Sequence, residues 1–374
     1  MAEGKIIKEL IQKNPVNKGL DYGFVDGVMR DAALRHFPEL ARVTSVRHIR
    51  HKRRVGKHNS TFIYTYVIRG EGSDGSPVQK QLVYSSHSDG SRLHAYHVLT
   101  ALIASGFNGE GDFHRVMVPL EYLPEIQTLI YEAIPGKTLF EHMKMCRSPL
   151  ELSDVVSVTA DWIRKFHQFK LSDATLAKIP LFDAFNLNWK TDELLPMVED
   201  ADQHQAEKLR AFFETYPRDE KRLYGEQAPQ LVYGDLHPEN VLTTTLHPEG
   251  LTMIDFTDVA RGDQMRDIGT FMQQLNFMGT QFYPEQPVNQ LRMLFLERYF
   301  QQPVAALPIT IIQRINLYQA WNSLRGFVYF FLQEKNRIRS YGLLEDAWRH
   351  LYNAQNDRPY FSITYQETRP LVKN

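Results

Sequence analysis

Two short β-like runs, Gln230-Leu231-Val232-Tyr233 and Leu251 to Phe256, bracket a loop that reads Gly234-Asp235-Leu236-His237-Pro238-Glu239-Asn240. A turn at His247-Pro248-Glu249-Gly250 separates the runs, and the second contains Ile254-Asp255-Phe256. This pattern narrows the choice of fold, because it asks for a strand-loop-strand unit that brings one amide and two carboxylates to one place. Magnesium takes oxygen ligands and keeps substrate phosphates and waters in its shell, so a protein offers it a carboxylate and an amide rather than a full cage. Asn240 and Asp255 are the candidates for that pair. A carboxylate on a tight loop five residues before the asparagine can accept a proton from, or orient, a hydroxyl attacking a terminal phosphate. Asp235 is placed for that task.

Composition excludes several other classes. The chain has 374 residues, 43% hydrophobic and 23% charged, which places it with globular proteins of about two domains or lobes. Lysine plus arginine (43) nearly cancels aspartate plus glutamate (44), so no overall charge draws it to nucleic acid or to an anionic membrane. Cys146 is the single cysteine, which excludes an intrachain disulfide and a cysteine-based zinc or iron-sulfur site. A reducing, cytoplasmic setting is the simplest expectation. Met1 to Asn14 alternates apolar and charged residues as an amphipathic helix, not a signal peptide, and Leu317 to Leu332 is interrupted by Gln319, Asn322 and Arg325. The latter reads as a buried helix, and no membrane partner is expected.

The character of the chain changes near Pro135-Gly136. Before it, Val43 to Ile49, Thr61 to Ile68 and Gln79 to Ser85 alternate as strands of a small antiparallel sheet. A helix at Ser91 to Ser105 interrupts the sheet, and strands at Arg115 to Leu120 and Gln127 to Ala133 follow. Beyond the hinge, helical spacing recurs at Leu152 to Phe169, Gln264 to Phe277, Val288 to Phe300, Thr310 to Leu332 and Gly342 to Tyr352. The expected architecture is α+β and bilobal: an N-terminal lobe, residues 1–134, with helices and a small sheet, and a mainly helical C-terminal lobe, residues 135–374.

Tyr233-Gly234-Asp235, Asn240 and Ile254-Asp255-Phe256 resemble the H-G-D, N and I-D-F elements of the aminoglycoside phosphotransferase and choline kinase-like superfamily, which has a protein kinase-like fold. Arg261 to Gly269 is similar to that family's G-D-P-x-x-D-L-A segment, and Ala133-Ile134-Pro135-Gly136-Lys137-Thr138-Leu139 to its hinge. The resemblance runs in order from about Gly56 to Leu275. It implies a kinase using ATP and Mg²⁺ to phosphorylate a hydroxyl of a small molecule, such as an aminoglycoside-like compound, an amino alcohol or a sugar. It implies further that Asp235 is the catalytic base, that Asn240 and Asp255 hold magnesium, and that Asp267 braces the catalytic loop. Glu132 and Ile134 fall where backbone groups meet adenine. His167 and His237 read as structural histidines, His237 supporting the loop.

Two departures from the family pattern stand out. The glycine-rich motif is absent, although Gly56-Lys57-His58-Asn59-Ser60-Thr61 can cover phosphates through Lys57, Asn59 and Ser60. The lysine expected on the third strand and its helix glutamate are missing as well: the strand reads Gln81-Leu82-Val83-Tyr84-Ser85 and the helix His94-Ala95-Tyr96-His97. Lys80 is the nearest substitute, but in a strand an offset of one residue reverses the face. The missing pair leaves a second reading open, a catalytically inactive nucleotide-binding or scaffold protein. The basic run Arg47 to His58 leaves a third, a polyanion-binding module, beside its readings as a solvated edge strand or an aid to nucleotide phosphates. The helix carrying Tyr318, Trp321, Phe327, Tyr329 and Phe330 reads as core, with an acceptor-pocket face as the alternative. The acceptor and the oligomeric state are not encoded in any motif.

Overall fold

The computed structural model describes residues 14–55, 60–182, 191–225, 227–332 and 334–356. The expected helix at Met1 to Asn14 and the proposed phosphate contacts Lys57 and Asn59 lie outside them, Asn14 excepted. The class is the one read from the sequence, α+β, with antiparallel sheet toward the N-terminus and a mostly helical remainder. Two compact units are present, and neither is one continuous stretch. The first comprises Met1–Leu139, Phe169–Ile179 and Asn240–Val259; the second comprises Phe140–Gln168, Pro180–Glu239 and Ala260–Asn374.

In the first unit a five-stranded antiparallel sheet runs in the order β1 (Arg42–Val55), β2 (Ser60–Glu71), β3 (Pro77–His87), β6 (Thr128–Glu132), β5 (Pro119–Leu123). β2 alternates buried and half-buried residues along its length, the period-2 signature of a sheet with two different faces. One face presents Phe62, Tyr64, Tyr66, Ile68, Leu82, Tyr84 and Ile130, packed with Val25, Met29, Ala32 and Ala33 of helix α1 (Tyr22–His36). Burying each such large side chain contributes about 1.5–3 kcal/mol, and Tyr64 also donates its hydroxyl proton to the Gly19 carbonyl at 2.8 Å. The other face carries Val83, paired with Tyr131 in the ladder, and helix α2 (Ser91–Ala104) follows β3. β1 is an edge strand and is longer than its apolar residues implied, because the basic run continues the pairing with β2 as far as Val55. Charged side chains on an exposed strand edge discourage edge-to-edge association.

A second, four-stranded sheet in this unit has the order β4 (Arg115–Val116), β10 (Thr252–Met253), β9 (Val241–Thr243), β7 (Lys137–Thr138). The single strand expected at Arg115 to Leu120 is thus two, β4 and β5, in different sheets, with Pro119 opening the second. Proline removes a ladder donor, which favours the change of partner at that point.

The second unit pairs β8 (Gln230–Val232) with β11 (Ala260–Gly262) and otherwise consists of helices. The principal ones are α3 (Ser153–Gln168), α4 (Gln203–Tyr224), α5 (Met265–Gly279), α6 (Glu285–Phe300), α7 (Ile309–Leu332) and α8 (Arg337–Gln355). α7 buries Leu317, Tyr318, Trp321, Leu324, Phe327 and Phe331 together with Asn316, Gln319 and Asn322. These buried amides are partnered: Gln319 accepts from Arg292 at 2.8 Å and Asn322 donates to Gln273 at 2.5 Å. Among the described residues no helix is long and apolar enough to cross a membrane.

Candidate active site

In the second unit, β8 delivers the chain into the loop that starts at Tyr233. Tyr233 is buried edge-on against Trp162 and Phe166 of α3, with ring centroids 5.7 and 6.1 Å apart. Its backbone N–H donates to Asp267 Oδ2 and that of Gly234 to Asp267 Oδ1, each at 2.7 Å. Gly234 has φ 92°, a left-handed backbone that glycine adopts without a Cβ clash, and this turns the chain so that consecutive N–H groups face one carboxylate. Asp267 is 0% exposed and stands in the first turn of α5. His167 Nε2 lies 2.9 Å from its Oδ2, while His167 Nδ1 meets the Tyr299 hydroxyl at 2.8 Å. Arg266, its guanidinium 3.4 Å from the centre of the Phe182 ring and 4.7 Å from that of Trp321, donates to the Gly234 carbonyl at 3.2 Å.

Asp235 follows on this braced loop. Arg325 Nη1 lies 3.3 Å from its Oδ1, and His237 Nε2 lies 3.2 Å from its Oδ2. The Glu239 N–H donates to His237 Nδ1 at 3.2 Å, which turns the other ring nitrogen, Nε2, toward Asp235. Burial works to raise the Asp235 carboxyl, but His237, Arg325 and Arg266 outweigh it and hold the group well below the ordinary carboxylate range. Arg325 stacks on Trp321, its guanidinium 5.0 Å from the ring centre. The aromatic helix α7 is therefore core along most of its length and also sends one cation to Asp235.

In the first unit, β9 and β10 form a short hairpin with Val241 opposite Met253. One step beyond, the Ile254 N–H donates to the Asn240 carbonyl at 3.1 Å, which sets Asn240 beside Asp255. Asp255 has φ 60°, a left-handed conformation unusual outside glycine. Its Oδ1 accepts from Arg92 Nη1 and from the Thr257 hydroxyl, both at 2.8 Å. The side chain of Arg92 is 8% exposed and that of Asp255 33%. Burial acts to lower Arg92, but the charge of Asp255 and the groups around it keep the guanidinium charged, above its ordinary value. Tyr131, close enough to feel both charges, has its hydroxyl pushed up to about 12 by burial.

Lys80 lies on the face that its one-residue offset in the strand implies. It stands opposite Ile68, on the face of β3 that carries Leu82 and Tyr84 toward α1. There it pairs with Glu39 at 2.6 Å, lies over the Phe37 ring, and reaches Glu132 at 4.0 Å. The two-residue period of the strand turns it away from Val83 and Tyr131. Ser60 is buried at the start of β2; its N–H donates to the Ser88 hydroxyl oxygen at 2.9 Å, and its carbonyl accepts from the Ser88 N–H at 3.1 Å. Glu132 and Ile134 line an open cleft of about 650 Å³ together with Leu242, Thr243, Thr252 and His247.

Sequence spacing missed Arg92 and Arg325. They lie 163 and 90 positions from their aspartates, and the only local signal was a cation at the first turn of the helix after β3. Among the described residues no group of three or more His, Cys, Asp or Glu side chains is clustered to hold a metal by itself. That suits an ion held by one carboxylate, one amide and its substrate's phosphates.

A sheet-containing first unit, a helical second unit and an Asp-loop-Asn-Asp pattern together define a kinase-like phosphotransferase class. The chain belongs to the phosphotransferase enzyme family, whose model matches residues 85–306 of the 374. Among solved structures it is similar to ADP-bound aminoglycoside phosphotransferase APH(2'')-Ib, with 13% identity, 85% of this chain and 98% of that one covered, and a TM-score of 0.52. It is also similar to amicoumacin kinase hAmiN in complex with AMP-PNP, Ca²⁺ and Ami, with 14% identity, coverage of 89% and 93%, and a TM-score of 0.51. A third is the streptomycin-ATP complex of APH(2'')-IIa, with 14% identity, coverage of 85% and 97%, and a TM-score of 0.51. These likenesses establish the protein kinase-like fold. No curated protein matches the sequence.

Proposed function

We propose that this protein is an ATP- and Mg²⁺-dependent phosphotransferase acting on a hydroxyl group of a small molecule. The observation that carries the reading is the Asp235 loop: a carboxylate kept ionised by its neighbours, on a backbone clamped by Asp267 through two N–H bonds of 2.7 Å. A carboxylate of such low basicity is suited to orienting the acceptor hydroxyl and taking its proton only as the new bond forms, in a reaction where positioning and charge neutralisation do most of the work. Asn240 and Asp255, set side by side by the Ile254–Asn240 backbone bond, offer the amide and carboxylate oxygens that magnesium accepts. The ion would supply charge neutralisation at the nucleotide phosphates. The nucleotide complexes of the similar proteins favour ATP as donor, and Ser60, Glu132 and Ile134 remain assigned to its binding, with Lys57 and Asn59. The acceptor is a free small molecule, with neither nucleic acid nor membrane as partner, and the setting is cytoplasmic.

The test is calorimetric titration with ATP, with and without Mg²⁺, on the wild type and on Asp255→Ala, followed by an acceptor screen reading ADP release. Magnesium-dependent binding that Asp255→Ala abolishes is the expected result. Asp235→Asn should keep nucleotide binding and lower turnover by roughly 10²–10⁴, the range for loss of a general base. Absence of ATP and GTP binding under all conditions would overturn the reading.

A further inference from the structure

We infer that Arg92 is the positioning cation of the nucleotide site, taking over from helix α2 the charge that strand β3 does not provide. This rests on the phosphotransferase reading above and concerns how the site is held together. The face of β3 shared with Tyr131 presents Val83, and the one lysine of the strand, Lys80, is committed to Glu39 on the opposite face. Arg92 is the buried cation in contact with Asp255. It approaches from the first turn of α2, and the same helix is fixed to the segment after Asp255 by a second bond, His94 Nε2 to the Val259 carbonyl at 2.8 Å. The turn that launches α2 is itself tied to the start of β2 by the two Ser60–Ser88 bonds.

Two details distinguish a positioning role from a merely structural ion pair. Arg92 and Thr257 donate to the same oxygen of Asp255, Oδ1, which fixes the orientation of the carboxylate as outer partners of metal ligands do. Arg92 Nε is also buried with no hydrogen-bond partner. A buried unpaired donor is costly, so an acceptor supplied by a ligand at that nitrogen would be favourable. The fork of the guanidinium is thus not used up by the fold, and a phosphate oxygen is the acceptor chemistry that would complete it after a small shift of the side chain.

The experiment compares wild type, Arg92→Ala, Arg92→Gln and Arg92→Lys by calorimetry with ATP, ADP and adenosine, in Mg²⁺ and in EDTA, with thermal unfolding of each variant alongside. The expected result is a loss of roughly 10–100-fold in affinity for Mg-ATP in Arg92→Ala, the range for removing an outer partner of a metal ligand. Adenosine affinity should be unchanged, the gain from Mg²⁺ reduced, and Arg92→Lys should restore part of the loss. Equal loss for adenosine and ATP together with a lower unfolding temperature would reduce Arg92 to a structural role. Unchanged Mg-ATP binding in a folded variant would also overturn the inference. Should Arg92→Ala fail to fold, Arg92→Gln, which keeps the aliphatic stem and an amide donor without the charge, decides by the same criteria. If the wild type itself binds no nucleotide, the phosphotransferase reading falls first and this one with it.

Discussion

A carboxylate with no access to water has to find all its donors inside the protein, and Asp267 finds them in two successive backbone N–H groups and a histidine. Charged hydrogen bonds of this kind are stronger than neutral ones, and their loss leaves buried donors facing nothing. Asp267→Asn keeps the shape but replaces one acceptor by a donor, so Tyr233 or Gly234 loses its partner. The expected cost is about 2–4 kcal/mol in urea unfolding, with a fall in turnover beyond what the lost stability explains. Wild-type stability in that variant would mean that the clamp is not what holds the loop. The strand, loop and hairpin that carry Asp235, Asn240 and Asp255 were legible in the sequence, since loop and hairpin chemistry is local. Arg92 and Arg325 were not, because which distant side chain reaches an aspartate is decided by packing, whereas the face of Lys80 followed from one residue of register.

At the scale of elements, α5 meets α7 at Gly269, where a Cβ would come within 2.7 Å of the Ile315 carbonyl and of Tyr318 Cβ. Backbone lies on one side of that contact, so the helices must separate to admit a methyl group. Gly269→Ala should destabilise by roughly 1–3 kcal/mol. Gly342, inside α8 with nothing within 4 Å, is the control. There alanine restores helix propensity, and Gly342→Ala should stabilise by about 0.5–1 kcal/mol. Thermal unfolding of the two variants reads opposite signs, and equal signs would contradict the packing described. Most helices and strands were visible as periodicity, but α1 and α4 were not read. In α4 the buried stripe Ala206, Leu209, Phe212, Tyr216 runs through a strongly polar segment, and Pro217 reads as a break although the helix passes through it. The helix is bounded by Asp202, which caps the first turn through the Gln205 N–H, and by Gly225.

At the scale of the molecule, the α+β class and the family were recoverable from the order of motifs, whereas the composition of each compact unit from separate stretches of chain was not. Local periodicity carries no information about which stretches assemble together. A global property follows from His350, buried in α8 and held neutral far below its ordinary 6.5 by burial, with Arg349 and Arg292 adding to the effect. Below about pH 6.5 the unfolded chain binds a proton that the folded chain refuses, so stability falls on acidification, by up to about 1.4 kcal/mol per pH unit. Urea midpoints at pH 7.5 and 5.5 should show the decline, and His350→Gln should flatten it. A slope that survives the substitution would assign the acid sensitivity to other groups.

The interleaving of the two units also has a consequence in time. β4 and β7 find their ladder partners in β10 and β9, which belong to the segment Asn240–Val259. On a ribosome making about 5–20 residues per second, the roughly 100 residues between Leu139 and Asn240 correspond to a delay of roughly 5–20 seconds. Throughout that delay the nascent chain carries two strands with open edges and no means of closing them. Completion of the first unit is therefore clocked by residue 259 and not by residue 139, and a translational pause inside this interval would lengthen the exposure without changing any contact of the finished molecule.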